Sequence, residues 1–141
     1  MNVVIEKMQS PEAKYQQLFE AMYQLCDENN WGDPFSYARS REIHLASILG
    51  HRVSDTLSGA DAYDENNLPV EYKSTIGKKL TATYNGISVQ NSWEEQVNYL
   101  REDKIGKYHK HFFARYHLGK VVEIWVMNAD DVLRILIDNL E

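Results

Sequence analysis

GADAYDENNLPVEYKS, residues 59–74, is the stretch on which the reading of this chain turns. It places Asp61 ten residues before Glu71, with Lys73 two residues further on. Leu68, Val70 and Tyr72 alternate with Glu71 and Lys73, so the period of a strand points both charged side chains to one face and the apolar ones to the other. The Asn66-Asn67-Leu68-Pro69 run reads as a turn that brings an acid of the preceding segment, Asp61 or Asp64, back beside Glu71. Two carboxylates next to one ammonium make a small site for a hard cation, with a fixed positive charge beside it.

The spacing of acid, any residue and lysine is weak without this context. Glu12 to Lys14 and Glu102 to Lys104 repeat it in polar stretches of helical character. There, residues two apart point about 200° away from each other and cannot share a ligand. The Glu71 copy alone combines a strand setting with an upstream acid.

Outward from this stretch the chain alternates helices and strands. Ser10 and Pro11 open a helix with Tyr15, Leu18, Phe19, Met22 and Leu25 at helical spacing, stopped by Asp-Glu-Asn-Asn. That face packs on its own sheet or on a partner subunit. Residues 31–40 read as a loop, and a second helix runs from about Ser40 to Leu49, with Ile43, Ala46 and Ile48 or Leu49 apolar and Gly50 as its C-cap. Strands follow near 60–63, 69–75 and 80–89, the last folded at Asn85-Gly86 into a hairpin. Ser92 to Glu95 is a capping box that opens a helix carrying Val97 and Leu100, which fades into polar sequence at 101–110. Two strands, 112–116 and 121–127, and a final helix capped by Asn128, with Val132, Leu133, Leu136, Ile137 and Leu140 as its apolar face, complete the order. The fold class is α/β (α+β), one central mixed sheet flanked by helices.

With 141 residues the chain is read as one domain, and no apolar run approaches the roughly 20 residues of a membrane span. The N-terminal residues lack the features of a signal peptide, so the expected location is cytoplasmic, with no membrane partner. The lone Cys26 rules out an internal disulfide and falls on an apolar helix stripe; Trp93 and Trp125 are also read as core. His109 and His111 alternate on a strand-like stretch without further ligands at metal spacing, and read as phosphate contacts or a polar strand face. No Walker loop, dinucleotide fingerprint or serine elbow is present. The net charge of −6 hides a segregation: residues 73–120 hold nine Lys/Arg against four Asp/Glu, a block of +5 that leaves −11 for the rest. A basic face beside an acidic site suits a polyanion once a divalent ion neutralises the acids.

Three stretches, Gly59 to Asp64, Val70 to Ser74 and Lys107 to Val126 with the following ADDVL, together resemble the PD-(D/E)XK nuclease superfamily, in particular small, blunt-cutting type II restriction endonucleases. The resemblance implies a restriction-endonuclease-like core over about residues 40–140, with residues 1–35 as a helical segment able to form a homodimer. It implies Asp61 as metal-bridging carboxylate, Glu71 as second ligand, the Tyr72 backbone carbonyl as a third, and Lys73 as the group that orients or activates the attacking water. Glu42, on the helix before the sheet, would assist the metal, unless it pairs with Arg39 or Arg41. The implied cofactor is Mg²⁺, with Mn²⁺ as a substitute, and the implied partner is double-stranded DNA. Its contacts are expected from Lys78, Lys79, Tyr84, Asn85, Ser88, Gln90, Lys104, Lys107, His109 and Lys110. The expected activity is sequence-specific hydrolysis of DNA phosphodiesters in a restriction, homing or phage setting. The alternative is a non-catalytic nucleic-acid-binding module on the same scaffold.

Overall fold

The alternation read in the 59–74 stretch sets the layers of the molecule. The computed structural model describes residues 10–55, 59–80 and 92–140, except for the side chains of residues 103, 104 and 140. Its helices are α1 (Pro11–Glu28), α2 (Arg39–Leu49), α3 (Trp93–Asn98), which runs into a π-helical turn (Tyr99–Lys104), and α4 (Ala129–Leu140). Its strands are β1 (Arg52–Val53), β2 (Ala62–Tyr63), β3 (Pro69–Ile76), β4 (Lys110–His117) and β5 (Lys120–Asn128). They form one mixed sheet in the order β1-β2-β3-β4-β5, antiparallel except for the parallel pair β3–β4. The fold is therefore α+β, as expected.

Alternate residues of the central strands serve two cores. Val70 and Tyr72 of β3 and Phe112, Ala114 and Tyr116 of β4 pack with Leu45 and Ala46 of α2 on one face. On the other face Phe113 packs with Leu100, Ile105 and, from α4, Val132 and Leu133. Glu71 and Lys73 belong to this second face by the period of the strand. Local signals fix the element ends. Ser10 Oγ accepts from the Ala13 amide (3.0 Å), Ser92 Oγ from Glu95 (3.1 Å) and Asn128 Oδ1 from Asp131 (2.9 Å). Gly50 ends α2 at φ 70°, where a Cβ would meet nothing within 4 Å, so its backbone angle rather than its size calls for glycine. Leu118 and Gly119, at φ 51° and 77°, make the tight β4–β5 turn.

Several expectations need correction. On α2 the expected Ala46 is buried and, of Ile48 or Leu49, it is Leu49 that packs on the core while Ile48 is 51% exposed; the fully buried Leu45 was not foreseen. The stretch read as polar at 101–110 contains the buried Ile105 and Tyr108, brought inward by the π-helical turn. Trp93 and Trp125 are exposed; Trp125 stands opposite Phe113 on the face of the second core, on an edge strand that the core covers only in part. His111 is fully buried, not a polar strand face. Strand β2 is shorter than the 60–63 expectation, and β1 was not foreseen. The apolar face of α1 does not close on the sheet: Tyr15, Leu18, Phe19, Met22 and Leu25 remain exposed, with Phe19 stacked on Phe35 at 4.0 Å, while Cys26 is buried as expected. The 80–89 strand with its Asn85-Gly86 hairpin lies outside the described residues except for Leu80. Among the described residues no helix is long and apolar enough to cross a membrane.

Candidate active site

Asp61 stands one residue ahead of β2. Continuing the antiparallel register of Ala62 with Val70 sets it level with Glu71. The Asp61 amide donates to the Val70 carbonyl (3.2 Å), and its Oδ2 accepts from the Tyr72 amide (2.7 Å). The carboxylate is thus fastened to the backbone between Glu71 and Lys73. Lys73 Nζ lies 3.3 Å from Glu71 Oε1, with both side chains mostly buried. Asp64, the other acid of the segment, is used differently: its Oδ1 accepts from the amides of Asn66 and Leu68 (both 2.9 Å), which cap the turn and lower its pKa. Asp61 is therefore the acid that the turn returns to Glu71.

Glu42 comes from the first turn of α2 and pairs with Arg39 Nη1 at 3.2 Å. Arg39 also donates to the carbonyls of Trp31 (2.7 Å) and Ser54 (2.6 Å), tying the α1–α2 loop to the segment after β1. The buried Ser54 hydroxyl in turn bonds to the carbonyls of Ala60 and Asp61. Arg41 takes no part, since its Nε donates to Ser74 Oγ (2.7 Å) on the other face. Beside Asp61 and Glu42 opens a cleft of about 330 Å³ whose outer wall is the 31–37 loop.

The electrostatics of Asp61 are those of a crowded acid. Burial, then the negative charges of Glu71 and Glu42, push its carboxyl up to about 8, against the opposing pull of the Tyr72 amide and Lys73. Around neutral pH the site therefore holds a proton or is completed by a cation. Tyr108 closes the far side, its buried hydroxyl donating to the Gly59 carbonyl. Burial and the nearby charges of Glu71 and Asp61 keep that phenol protonated well above its usual range. His111 pairs in register with Glu71 across β3–β4 and donates through Nε2 to the Ile105 carbonyl (3.2 Å). Burial foremost, with some help from the Lys73 ammonium, lowers the pKa of the imidazole, so it is neutral and structural.

The expected DNA contacts divide by position. Lys107, His109 and Lys110 lie at the start of β4, beside Val70, so the parallel pairing brings them to the Asp61 end of the sheet. Lys107 Nζ comes within 3.2 Å of where a Cβ on Gly59 would stand. Lys78 and Lys79 are exposed beyond the opposite end of β3, where the chain bends back so that Thr75 Oγ1 donates to the Lys79 carbonyl (3.2 Å). Tyr84, Asn85, Ser88 and Gln90, and the side chain of Lys104, lie outside the described residues.

Asp61, Glu71 and the Tyr72 carbonyl offer only oxygen donors, a set that suits Mg²⁺ with its remaining positions filled by water. Among the described residues no group of three or more His, Cys, Asp or Glu side chains is placed to hold a metal ion. Asp61 and Glu71 bring two carboxylates together here, while Glu42 is held by Arg39 and acts on Asp61 through its charge. The pairing of Glu42 with Arg39 was one of the alternatives the sequence offered, whereas Ser54 and the Tyr108 hydroxyl escaped the reading because each works through a backbone carbonyl, for which no local pattern exists. No protein-family model and no curated protein matches this chain.

Proposed function

We propose that the chain is a Mg²⁺-dependent endonuclease that hydrolyses DNA phosphodiester bonds, built on the PD-(D/E)XK plan. The observation that carries the reading is the meeting of Asp61, Glu71 and Lys73 on adjacent strands, with the Asp61 carboxyl forced upward by two neighbouring acids. Such crowding suits an ion better than a proton as the neutralising partner. The mixed sheet, the preceding helix that bears Glu42 and the basic start of β4 add support.

In this reading Asp61, Glu71 and the Tyr72 carbonyl hold the ion, and Mn²⁺ can replace Mg²⁺. When bound, the ion polarises a phosphoryl oxygen and lowers the pKa of a water. Lys73 stabilises the attacking hydroxide or the charge that develops on the phosphoryl group. Glu42 keeps the local field negative, and Lys107, His109 and Lys110 receive the flanking phosphates of double-stranded DNA. The exposed apolar face of α1 is the homodimer element, which would set two sites against the two strands of a duplex.

Incubation with supercoiled plasmid and long phage DNA, with Mg²⁺ or EDTA, tests the proposal beside Glu71→Ala and Lys73→Ala. The expected result is discrete metal-dependent fragments, lost in both variants. Cutting retained in both variants would remove these residues from the reaction. The second reading, a non-catalytic nucleic-acid-binding module, draws on the internal pairing of Glu71 with Lys73 and of Glu42 with Arg39, which partly neutralises the site without an ion. It predicts DNA binding that is indifferent to metal and no cutting of any substrate.

A further inference from the structure

The cleft beside Asp61 and Glu42 is not used by the reaction just described, yet its floor is shared with it. It holds about 330 Å³, at the small end of ligand pockets and enough for a nucleobase. Its outer wall carries two aromatic side chains, Trp31 and Tyr37. Tyr37 is fully exposed and stands at φ 51°, a left-handed backbone angle that bulky residues rarely adopt. Its ring stands in water at the mouth of a cleft that leads to Asp61.

The charge of the cleft decides what can enter. Asp33, Asp55, Glu42 and Asp61 line it against one arginine, Arg39, which is already bound to Glu42 and two carbonyls. A phosphate is repelled by such walls. A flat ring whose edge carries N–H donors is welcome, since carboxylates accept from exocyclic amino groups and aromatic rings stack on the base. The cations needed for a phosphate lie on the other side of the 59–61 segment, at Lys107 against Gly59 and at Lys73 beside Glu71.

We propose that this cleft is a subsite for one unpaired nucleobase, stacked on Tyr37, next to the phosphate held at Asp61, Glu71 and Lys73. The inference rests on the nuclease reading and deepens it: the substrate is a strand with a nucleotide out of the stack, either single-stranded or extruded from a duplex. A base still paired in a duplex cannot enter, so extrusion precedes cutting.

The test is fluorescence anisotropy of dye-labelled DNA with full-length protein carrying Glu71→Gln, in Mg²⁺, comparing a single strand, a duplex with a one-nucleotide bulge and a perfect duplex. Adding Tyr37→Ala is expected to weaken binding of the single strand and the bulge on the order of 5- to 150-fold and to leave the perfect duplex within two-fold. Tyr37→Phe, which keeps the ring, is expected to bind like the parent. Equal binding by Tyr37→Ala and its parent, equal losses on all three DNAs, or failure of the parent to bind any unpaired strand would overturn the subsite. Circular dichroism of Tyr37→Ala guards against misfolding, and Trp31→Ala supplies a second test from the same wall. The nuclease reading fails separately: wild-type protein that cuts nothing yet shows the Tyr37-dependent preference keeps the subsite and loses the chemistry. Metal-dependent cutting abolished by Glu71→Gln, without any Tyr37 effect, keeps the chemistry and loses the subsite.

Discussion

Strand β3 has two faces that differ in what holds them. On one, Val70 and Tyr72 are buried against Leu45 and Ala46 of α2, and every neighbour is apolar or hydrogen-bonded. On the other, Glu71 and Lys73 sit with Asp61 and within the field of Glu42, so three acids share one lysine and the arginine beside Glu42. The first face lowers the free energy of the fold by apolar burial. The second face raises it wherever Asp61 is ionised, because desolvated like charges repel. Around Glu71 and Lys73 the strand carries the site and around Val70 and Tyr72 the scaffold, so the two roles are separated within eight residues.

The sharpest way to break this contrast is through activity. Glu71→Gln is expected to lower metal-dependent cleavage by about 1,000-fold or more while leaving the melting temperature nearly unchanged, as read by plasmid nicking and by thermal denaturation. A large drop in melting temperature would make Glu71 a structural residue. On the opposite face Leu45→Ala should destabilise the protein by about 2–5 kcal/mol in urea titration, through lost burial and the cavity left behind. At native temperature its folded fraction should keep the parental rate.

Asp61→Asn comes next in size, and its sign is the opposite. The folded pKa of about 8 lies above the usual carboxylate value of 3.8, so between them the folded state binds more protons than the unfolded one. Stability from this group is fully present below the lower value and is lost as pH rises through the upper one. In metal-free buffer at pH 8 the amide, which cannot ionise, should therefore stabilise the fold by on the order of 1–3 kcal/mol. At pH 5 the difference should shrink toward zero. Denaturant melts at the two pH values decide it, and equal effects at both would remove the crowding argument. Smallest is Ser74→Ala, on the scaffold face, which deletes the acceptor for Arg41 Nε at 2.7 Å. It should cost about 1 kcal/mol of stability and leave cleavage within two-fold.

Much of this contrast was legible in the sequence, for a local reason. The alternation of Val70, Glu71, Tyr72 and Lys73 and the turn before it act over a few residues, so strand, face and returning acid could all be read. The caps at Ser10, Gly50, Ser92 and Asn128 were legible on the same ground. Which of Asp61 and Asp64 meets Glu71 was not, because both precede the same turn and only the hydrogen bonds to Asn66 and Leu68 commit Asp64 elsewhere. The burial of Ile105 and Tyr108 was also hidden, since they stand among lysines and follow a π-helical turn that leaves no periodic trace, and that of His111 because it depends on the pairing of β4 with β3. The exposure of Trp125 follows from its place on the edge strand, which is set by strand order rather than by its neighbours in sequence.

The parallel pairing of β3 with β4 has a consequence in time. Asp61 and Glu71 are joined by a turn within ten residues, whereas Val70 meets Lys110 only after about forty residues of intervening chain. Closing a loop of that length is entropically slow, and parallel pairs of this kind dominate the folding time of a small domain. The acidic half of the site can therefore assemble early and nearly alone. Lys107, Tyr108 and His111 arrive with β4, so the basic flank of the site is among the last parts the folding chain brings into place.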